Sequence, residues 1–492
     1  MQNILTMATA LFIGGPLLAI LINNLWPRGL AKNFCLWTDM AVALLQILTA
    51  LGYFWVLMAS GSRYIDFSVF WDMKAITDAA RFSVDAISLT VLLATGLVAL
   101  VSLLAARGNM RGKELNFSNL LMVIMLGMNG LVMVKDLFSL YIFLEITGVS
   151  SFVLIALYRD KRGLEGAFKY LAMSAIASVF LLGSLAFIFM EAGSLSFNAV
   201  SYTLKNWLNA AQPPLLLIAS LFFVAAFSIK AALFPFHGWL PDAYQSAPAA
   251  VSVLLGGIVT KVAGLYAIIR VLSAVALGMP NLRVAFTLLG LVSVLFGALA
   301  AIGQKDMKRM LAYSSISQMG YIVLGAATGS VLGLVGAMLH FFNHATFKST
   351  LFVNACALEK QAGTTDLLEL PGGLQSRMPL TGISSVLAFL STAGIPPLAG
   401  FWSKILIILA VWQGGSRMVA AIAFFASIFT AAYFLRLQRK VFFGQPDDSS
   451  SEIKEVTGSL AIAQWLLSVI TVGCGVLFPV LLLLMQAQGL FQ

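Results

Sequence analysis

The chain has 492 residues, of which 60% are hydrophobic and only 10% charged, and a net charge of +10. A water-soluble domain could not bury that much apolar side chain, so the composition excludes a soluble enzyme and indicates a protein that crosses a membrane many times. The basic excess would suggest a nucleic-acid partner in a soluble protein. Here it sits mostly in short loops, where it sets orientation, and no nucleic-acid partner is expected.

Windows of about 20 apolar residues bounded by charge, Pro or Gly predict an all-α polytopic membrane protein of about fourteen transmembrane helices. In chain order the spans are 4–22, 33–59, 82–106, 116–134, 136–157, 165–190, 213–236, 247–273, 283–303, 310–328, 331–358, 380–411, 416–440 and 458–486. Residues 201–209 (SYTLKNWLN) read as a short interfacial helix. The first segment lacks a basic n-region and a small-residue cleavage site, so it reads as a retained helix. No long hydrophilic run interrupts the pattern, which predicts a single membrane domain over 1–492 without a soluble catalytic module. Loops after odd-numbered helices hold seventeen Lys and Arg against seven on the opposite side, which places both termini outside. Cys35, Cys356 and Cys474 lie far apart, without a CxxC, and read as buried packing residues.

Charge inside such helices costs about 2.5–3.5 kcal/mol on insertion scales, so it persists where it has a partner or a task. Glu145 reads as the one buried carboxylate, near mid-membrane in FSLYIFLEITGVSS. Lys230 is similarly deep. A Glu–Lys pair there would stay charged until opened, and opening it would favour release of the lysine proton. Lys261, in GGIVTKVAGLYAI, is central with no acidic residue near it in sequence, a setting that suits a proton carrier. His340, His344 and Lys348 recur every four residues on one helix face, with Asn343, Thr346 and Ser349 nearby. That stripe suits a water wire between Lys261 and Lys404. Two histidines four apart could instead bind metal or haem, but no third ligand is apparent, and neither metal nor cofactor is expected.

Two helices are interrupted at comparable positions in the two halves. One break is at Pro235 and Pro241 just beyond Lys230, the other at Pro396, Pro397 and Gly400 just before Lys404. Proline frees carbonyls that lipid would not tolerate and a hydrated cavity would. Paired breaks of this kind mark ion sites in repeat-built transporters, and a lysine adjoins each one. Lys169 reads as snorkelling beside Glu165, Arg270 as reaching the outer interface, and Asp85 as complementing a helix dipole. His237, beside the first break, is either a gate or a satisfied boundary residue.

The run FSIKAALFPFHGWLPDAYQSAPAAVSVLLGGIVTKVAGLYAI resembles the signature region of the antiporter-like subunits of respiratory complex I, Mrp-type cation/proton antiporters and membrane-bound hydrogenases. The resemblance extends over most of residues 80–440. It implies inverted five-helix repeats at helices 4–8 (116–273) and 9–13 (283–440), with helices 7 and 12 broken. It also implies that Glu145, Lys230 and Lys261 match the family's glutamate and lysines on helices 5, 7 and 8. His340 and His344 fall at the histidine positions of helix 11, and Lys404 at the terminal position of helix 12, which is glutamate in a sister branch. NHATFKSTLF and GIPPLAGFWSK look most like Mrp D-type and hydrogenase-type subunits.

The expected function is therefore proton translocation by a non-redox subunit of a multisubunit ion-pumping complex in the plasma membrane. Its expected partners are the lipid bilayer and other membrane subunits, homologous ones included, with Na+ moved, if at all, through a partner. The alternative is a stand-alone secondary cation/proton antiporter. A Na+ site would need clustered carboxylates or carbonyls, which counts against that alternative.

Overall fold

The long apolar windows form helices because a bilayer leaves no water to satisfy the backbone, so each segment must close its own hydrogen bonds. A computed structural model describes residues 2–25, 31–60, 64–68, 81–206, 214–274, 280–445 and 452–487. The loop charges Arg28, Arg63 and Lys74, and residues 207–209 of the expected interfacial helix, lie outside the described residues. The helices are α1 (Gln2–Leu25), α2 (Ala31–Ser60), α3 (Ala86–Ala106), α4 (Glu114–Met133), α5 (Leu137–Ile155), α6 (Lys161–Ala192), α7 (Phe197–Asn206), α8 (Pro214–Lys230) and α9 (Trp239–Ser246). They continue as α10 (Ala249–Leu254), α11 (Ala267–Ala274), α12 (Pro280–Ile302), α13 (Met307–Ala327), α14 (Val331–Ala362), α15 (Pro379–Ala393), α16 (Ala399–Gln413), α17 (Arg417–Leu437) and α18 (Ser459–Ala487).

Among the described residues, nine helices are long and apolar enough to span a bilayer, and four shorter apolar ones accompany them. Exposed Leu48, Trp55, Val179, Met190, Phe424 and Ile428 put large apolar side chains on the outer faces of α2, α6 and α17. The intramembrane polar residues Lys230, Lys261, His340, His344, Lys348 and Lys404 are buried instead. That distribution suits a hydrocarbon solvent.

Two features depart from the sequence expectation. An antiparallel hairpin pairs β1 (Tyr64–Ser68) with β2 (Arg81–Asp85) ahead of α3. The expected helix over 247–273 is interrupted by π-helical turns at Leu255–Val259 and Lys261–Tyr266. Hydrophobic periodicity cannot separate i→i+5 from i→i+4 bonding, so neither sequence signal nor composition marked these turns.

The chain divides into two units, Met1–Ala231 with Ile258–Leu282, and Ala232–Gly257 with Arg283–Gln492. In the first, α6 packs on α8, α4 on α5 and α2 on α3. In the second, α14 is central, packing on α13, α15, α16 and α18. The two repeat a local plan. Asp136 caps α5 through the Ser139 amide at 2.7 Å and is bridged to Ser196 beyond α6. Asp306 caps α13 through the Arg309 amide at 2.9 Å and is bridged to Asp366 beyond α14. Both α6 and α14 have 32 residues and end on a left-handed glycine, Gly193 or Gly363.

Candidate functional site

In the first unit, Glu145 sits midway along α5 and Lys230 is the last residue of α8. Lys230 Nζ lies 2.9 Å from Glu145 Oε1 and donates to Ser174 Oγ at 2.8 Å. Ser178 Oγ donates to the same Glu145 oxygen at 2.6 Å. The lysine side chain is 2% exposed and the glutamate 29%, so a buried ammonium is held by a carboxylate that still reaches the surface. Three charge-assisted bonds offset the desolvation that an isolated ammonium would suffer here. The pairing expected from the sequence is thus present.

Lys261 is buried in the second π-helical turn. Three residues on, Gly264 lies against the chain immediately after Lys230: a Cβ there would stand 2.4 Å from Ala231 Cα. Only glycine permits that approach, which ties the Lys261 turn to the end of α8. At the far end of the same helical segment Arg270 forms a two-pronged ion pair with Asp85, at 2.6 and 2.7 Å. It also donates to Ser88 Oγ and to the Tyr266 hydroxyl, which in turn donates to the Val132 carbonyl. The two charges that the sequence places separately at the interface are therefore partners, joined across 185 positions of chain. Lys169 pairs with exposed Glu165 at 2.7 Å, as expected.

Burial pushes the Asp85 carboxyl up, but the Arg270 guanidinium and its hydrogen bonds more than offset this and hold it below the usual carboxylate range. A carboxyl lowered in the fold stabilises it fully above its unfolded value, and the contribution is lost as pH falls through the lower folded value. Asp85→Asn should cost about 3–5 kcal/mol, since it leaves the guanidinium buried without its counter-charge. Thermal unfolding of wild type and Asp85→Asn against pH is the check. The difference should persist from pH 8 to 5 and close only below about pH 4. Closure already at pH 6 would contradict the pairing.

In the second unit, the helix-face stripe on α14 meets two different neighbours. His340 contacts Ser403 Oγ of α16 through Nδ1 at 2.8 Å and Gln318 Oε1 of α13 through Nε2 at 3.2 Å. Lys348 Nζ donates to the Leu311 carbonyl at 2.9 Å and to Ser314 Oγ at 2.7 Å, and Ser314 meets the Tyr433 hydroxyl at 2.8 Å. The His344 ring centroid stands 6.4 Å from that of His340 and 5.3 Å from that of Phe347. Asn343 donates to the Ala399 carbonyl.

Lys404 Nζ donates to the Thr392 carbonyl at 2.8 Å and lies 4.7 Å from the Tyr321 ring centroid. Thr392 is in the last turn of α15, where helix carbonyls lack intrahelical donors, so the lysine caps a group freed by the break. Gly394 ends α15 in the left-handed region, and Gly400 lies where a Cβ would stand 1.8 Å from the Ser391 carbonyl oxygen. The crossing of the two half-helices therefore requires glycine. The structure thus brings His340, Ser403 and Lys404 together between α14 and α16, whereas it attaches Lys348 to α13. His237 stands apart, packed among Phe234, Phe296 and Tyr313 at 4.7–6.0 Å between centroids.

Three buried charges escaped the sequence reading: Asp136, the cap of α5, together with Asp39 and Lys308. Glu145 was expected to be the one deep carboxylate, but Asp39 on α2 is fully buried. It is held by Asn23 of α1 at 2.9 Å and by Ser118 of α4. Those partners are remote in sequence, which hid how the acid is satisfied. Lys308, expected in a loop, is instead buried in the first turn of α13 and paired with Glu359. The N-cap signal of Asp306, an acid three residues before Arg309, could have moved the helix start to include it.

Buried lysines held by carboxylate, hydroxyl and freed helix carbonyls, on interrupted apolar helices, define a membrane-embedded ion-translocating subunit of antiporter-like type. Residues 134–430 match the family described as "NADH:quinone oxidoreductase/Mrp antiporter, TM". The chain is 37% identical over 358 residues to NADH-quinone oxidoreductase subunit N of Desulforudis audaxviator, covering 70% of each chain. It is 32% identical over 337 residues to a Na(+)/H(+) antiporter subunit of Alkalihalophilus pseudofirmus, covering 68% of this chain and 67% of that one. Its fold is similar to that of a chain in the Mrp complex of Dietzia sp., with a TM-score of 0.85, 24% identity and coverage of 97% and 96%. The protein belongs to the NADH:quinone oxidoreductase/Mrp antiporter family and is an antiporter-like membrane subunit.

Proposed function

We propose that this subunit moves protons along its buried Glu, Lys and His side chains within a multisubunit complex of the plasma membrane. Its partners there are other membrane subunits, homologous antiporter-like ones among them. The reading has fourteen spans, both termini on the outer side, and inverted repeats over helices 4–8 and 9–13. The capped, bridged and glycine-terminated helix pairs α5–α6 and α13–α14 support the repeats. The excess of loop lysine and arginine on one side supports the orientation.

The single observation that carries the function is Lys230, buried between a half-buried carboxylate and a serine hydroxyl at the end of an interrupted helix. Such a group can exchange a proton when its partner moves. Lys261 takes up the proton, His340, His344 and Lys348 serve the track toward Lys404, and Lys404 releases it outward. The Glu145–Lys230 pair couples transfer to a neighbouring subunit through its field, and His237 gates the first break.

The test is Lys261→Ala in the purified complex, reconstituted in vesicles with an internal pH dye. Subunit content should stay normal while proton flux falls about 100-fold, the scale of a lost proton-transfer group. Normal flux in a fully assembled variant would sink the reading.

A further inference from the structure

The buried pair of Lys308 and Glu359 has no part in the transfer path from Lys261 to Lys404, yet its geometry repeats that of the functional pair in the first unit. Lys308 Nζ lies 2.6 Å from Glu359 Oε2, with the lysine side chain 4% exposed and the glutamate 41%. One partner faces solvent and the other faces the interior, as for Glu145 and Lys230. Lys308 Nζ also reaches the Ala247 carbonyl at 3.5 Å. A pair serving only to fasten two helix ends gains little at the surface, and burying its ammonium adds a desolvation cost.

What lies beyond Lys308 gives the burial a use. Leu311, Ser314 and Gln318 follow it within about three turns of α13, spread over about a third of its circumference. The Leu311 carbonyl and Ser314 hydroxyl hold Lys348 Nζ, and the Gln318 amide oxygen holds His340, which meets Ser403 beside Lys404. From Lys308 to Ser314 the helix rises about 9 Å, a span that a chain of about two or three hydrogen-bonded waters would cover.

We infer that Lys308 and Glu359 form a second loading station of the second unit's proton track, recharging Lys348 from solvent alongside the uptake at Lys261, an inference that rests on the proton-translocating function proposed for the subunit. The Lys308 ammonium passes a proton through water to the neutral amine of Lys348, so one N–H bond breaks and one forms. The Lys308 amine then regains a proton from bulk solvent by way of the part-exposed Glu359 carboxyl. No other reactant is consumed.

The experiment measures proton flux of the intact complex in vesicles for Lys308→Arg, Lys308→Met, Glu359→Gln and Lys404→Met. Arginine keeps the charge and the ion pair but does not release its proton at working pH. Loading predicts that arginine and methionine both lower flux about 10-fold or more at normal subunit content, and that Glu359→Gln lowers it too. Near wild-type flux in Lys308→Arg overturns the inference, because a fastening pair would be restored by it. Should neither Lys308 variant assemble, Glu359→Gln decides, since it leaves the lysine in place; full flux there is equally fatal. Lys404→Met separates the two claims. Normal flux in that variant defeats the proposed path through Lys404 on which the inference rests, whereas loss there beside normal flux in Lys308→Arg defeats the loading station alone.

Discussion

Replacing Lys404 by Met should lower proton flux by about 100-fold or more while the complex still assembles. The ammonium donates to the Thr392 carbonyl, lies over the Tyr321 ring and adjoins Ser403, the partner of His340. Methionine fills the space but offers no proton, so the track would end in an apolar side chain. It also leaves the Thr392 carbonyl without its donor, at a cost of about 1–3 kcal/mol. Lys404→Glu should behave differently and retain partial flux. A glutamic acid reaching Thr392 can donate only in its protonated form, so the site itself selects the state that carries a proton. The measurement is dye-reported flux in vesicles for both variants at matched subunit content. Full flux in both would make Lys404 a cap for α15 and nothing more.

Where a residue's partners lie within a turn or two of chain, the sequence revealed its setting. The four-residue recurrence of His340, His344 and Lys348 marked one helix face, and the prolines after Lys230 and before Lys404 marked the breaks. Partners from distant segments were another matter, apart from Glu145 and Lys230, whose opposite charges at similar depth suggested their pairing. Nothing local to Arg270 announces Asp85, and nothing local to Asp39 announces Asn23 and Ser118. The stripe itself reads in sequence as one wire, yet its members divide between two helices: Lys348 bonds α13, whereas His340 bonds α13 and α16. Helix periodicity tells which side chains share a face but not what opposes that face. Lys308 shows a smaller error with a larger consequence, since a helix start misplaced by three residues turned a buried charge into a loop charge.

Glu145 and Lys230 should prove energetically coupled, with the double variant Glu145→Gln/Lys230→Met losing less flux than the two single losses combined. Removing the carboxylate alone leaves a nearly inaccessible ammonium with the Ser174 hydroxyl still beside it and no counter-charge, the more costly of the two single changes. Removing the lysine alone leaves a carboxylate that keeps its Ser178 bond and 29% of its exposure, which is milder. Once both charges are gone, neither penalty exists, and what remains is the lost transfer step itself. Contacting charges of this kind couple by about 0.5–3 kcal/mol, so the double variant should exceed the additive expectation by roughly 2- to 150-fold in flux. A functional coupling must also respond to the neighbouring subunit if the pair senses it. The same cycle run on the isolated subunit's thermal unfolding reports only the static pair, whereas flux in the intact complex reports the pair as it opens. Strict additivity in flux, beside clear coupling in unfolding, would leave Glu145 and Lys230 as a fastening between α5 and α8 and remove them from the path.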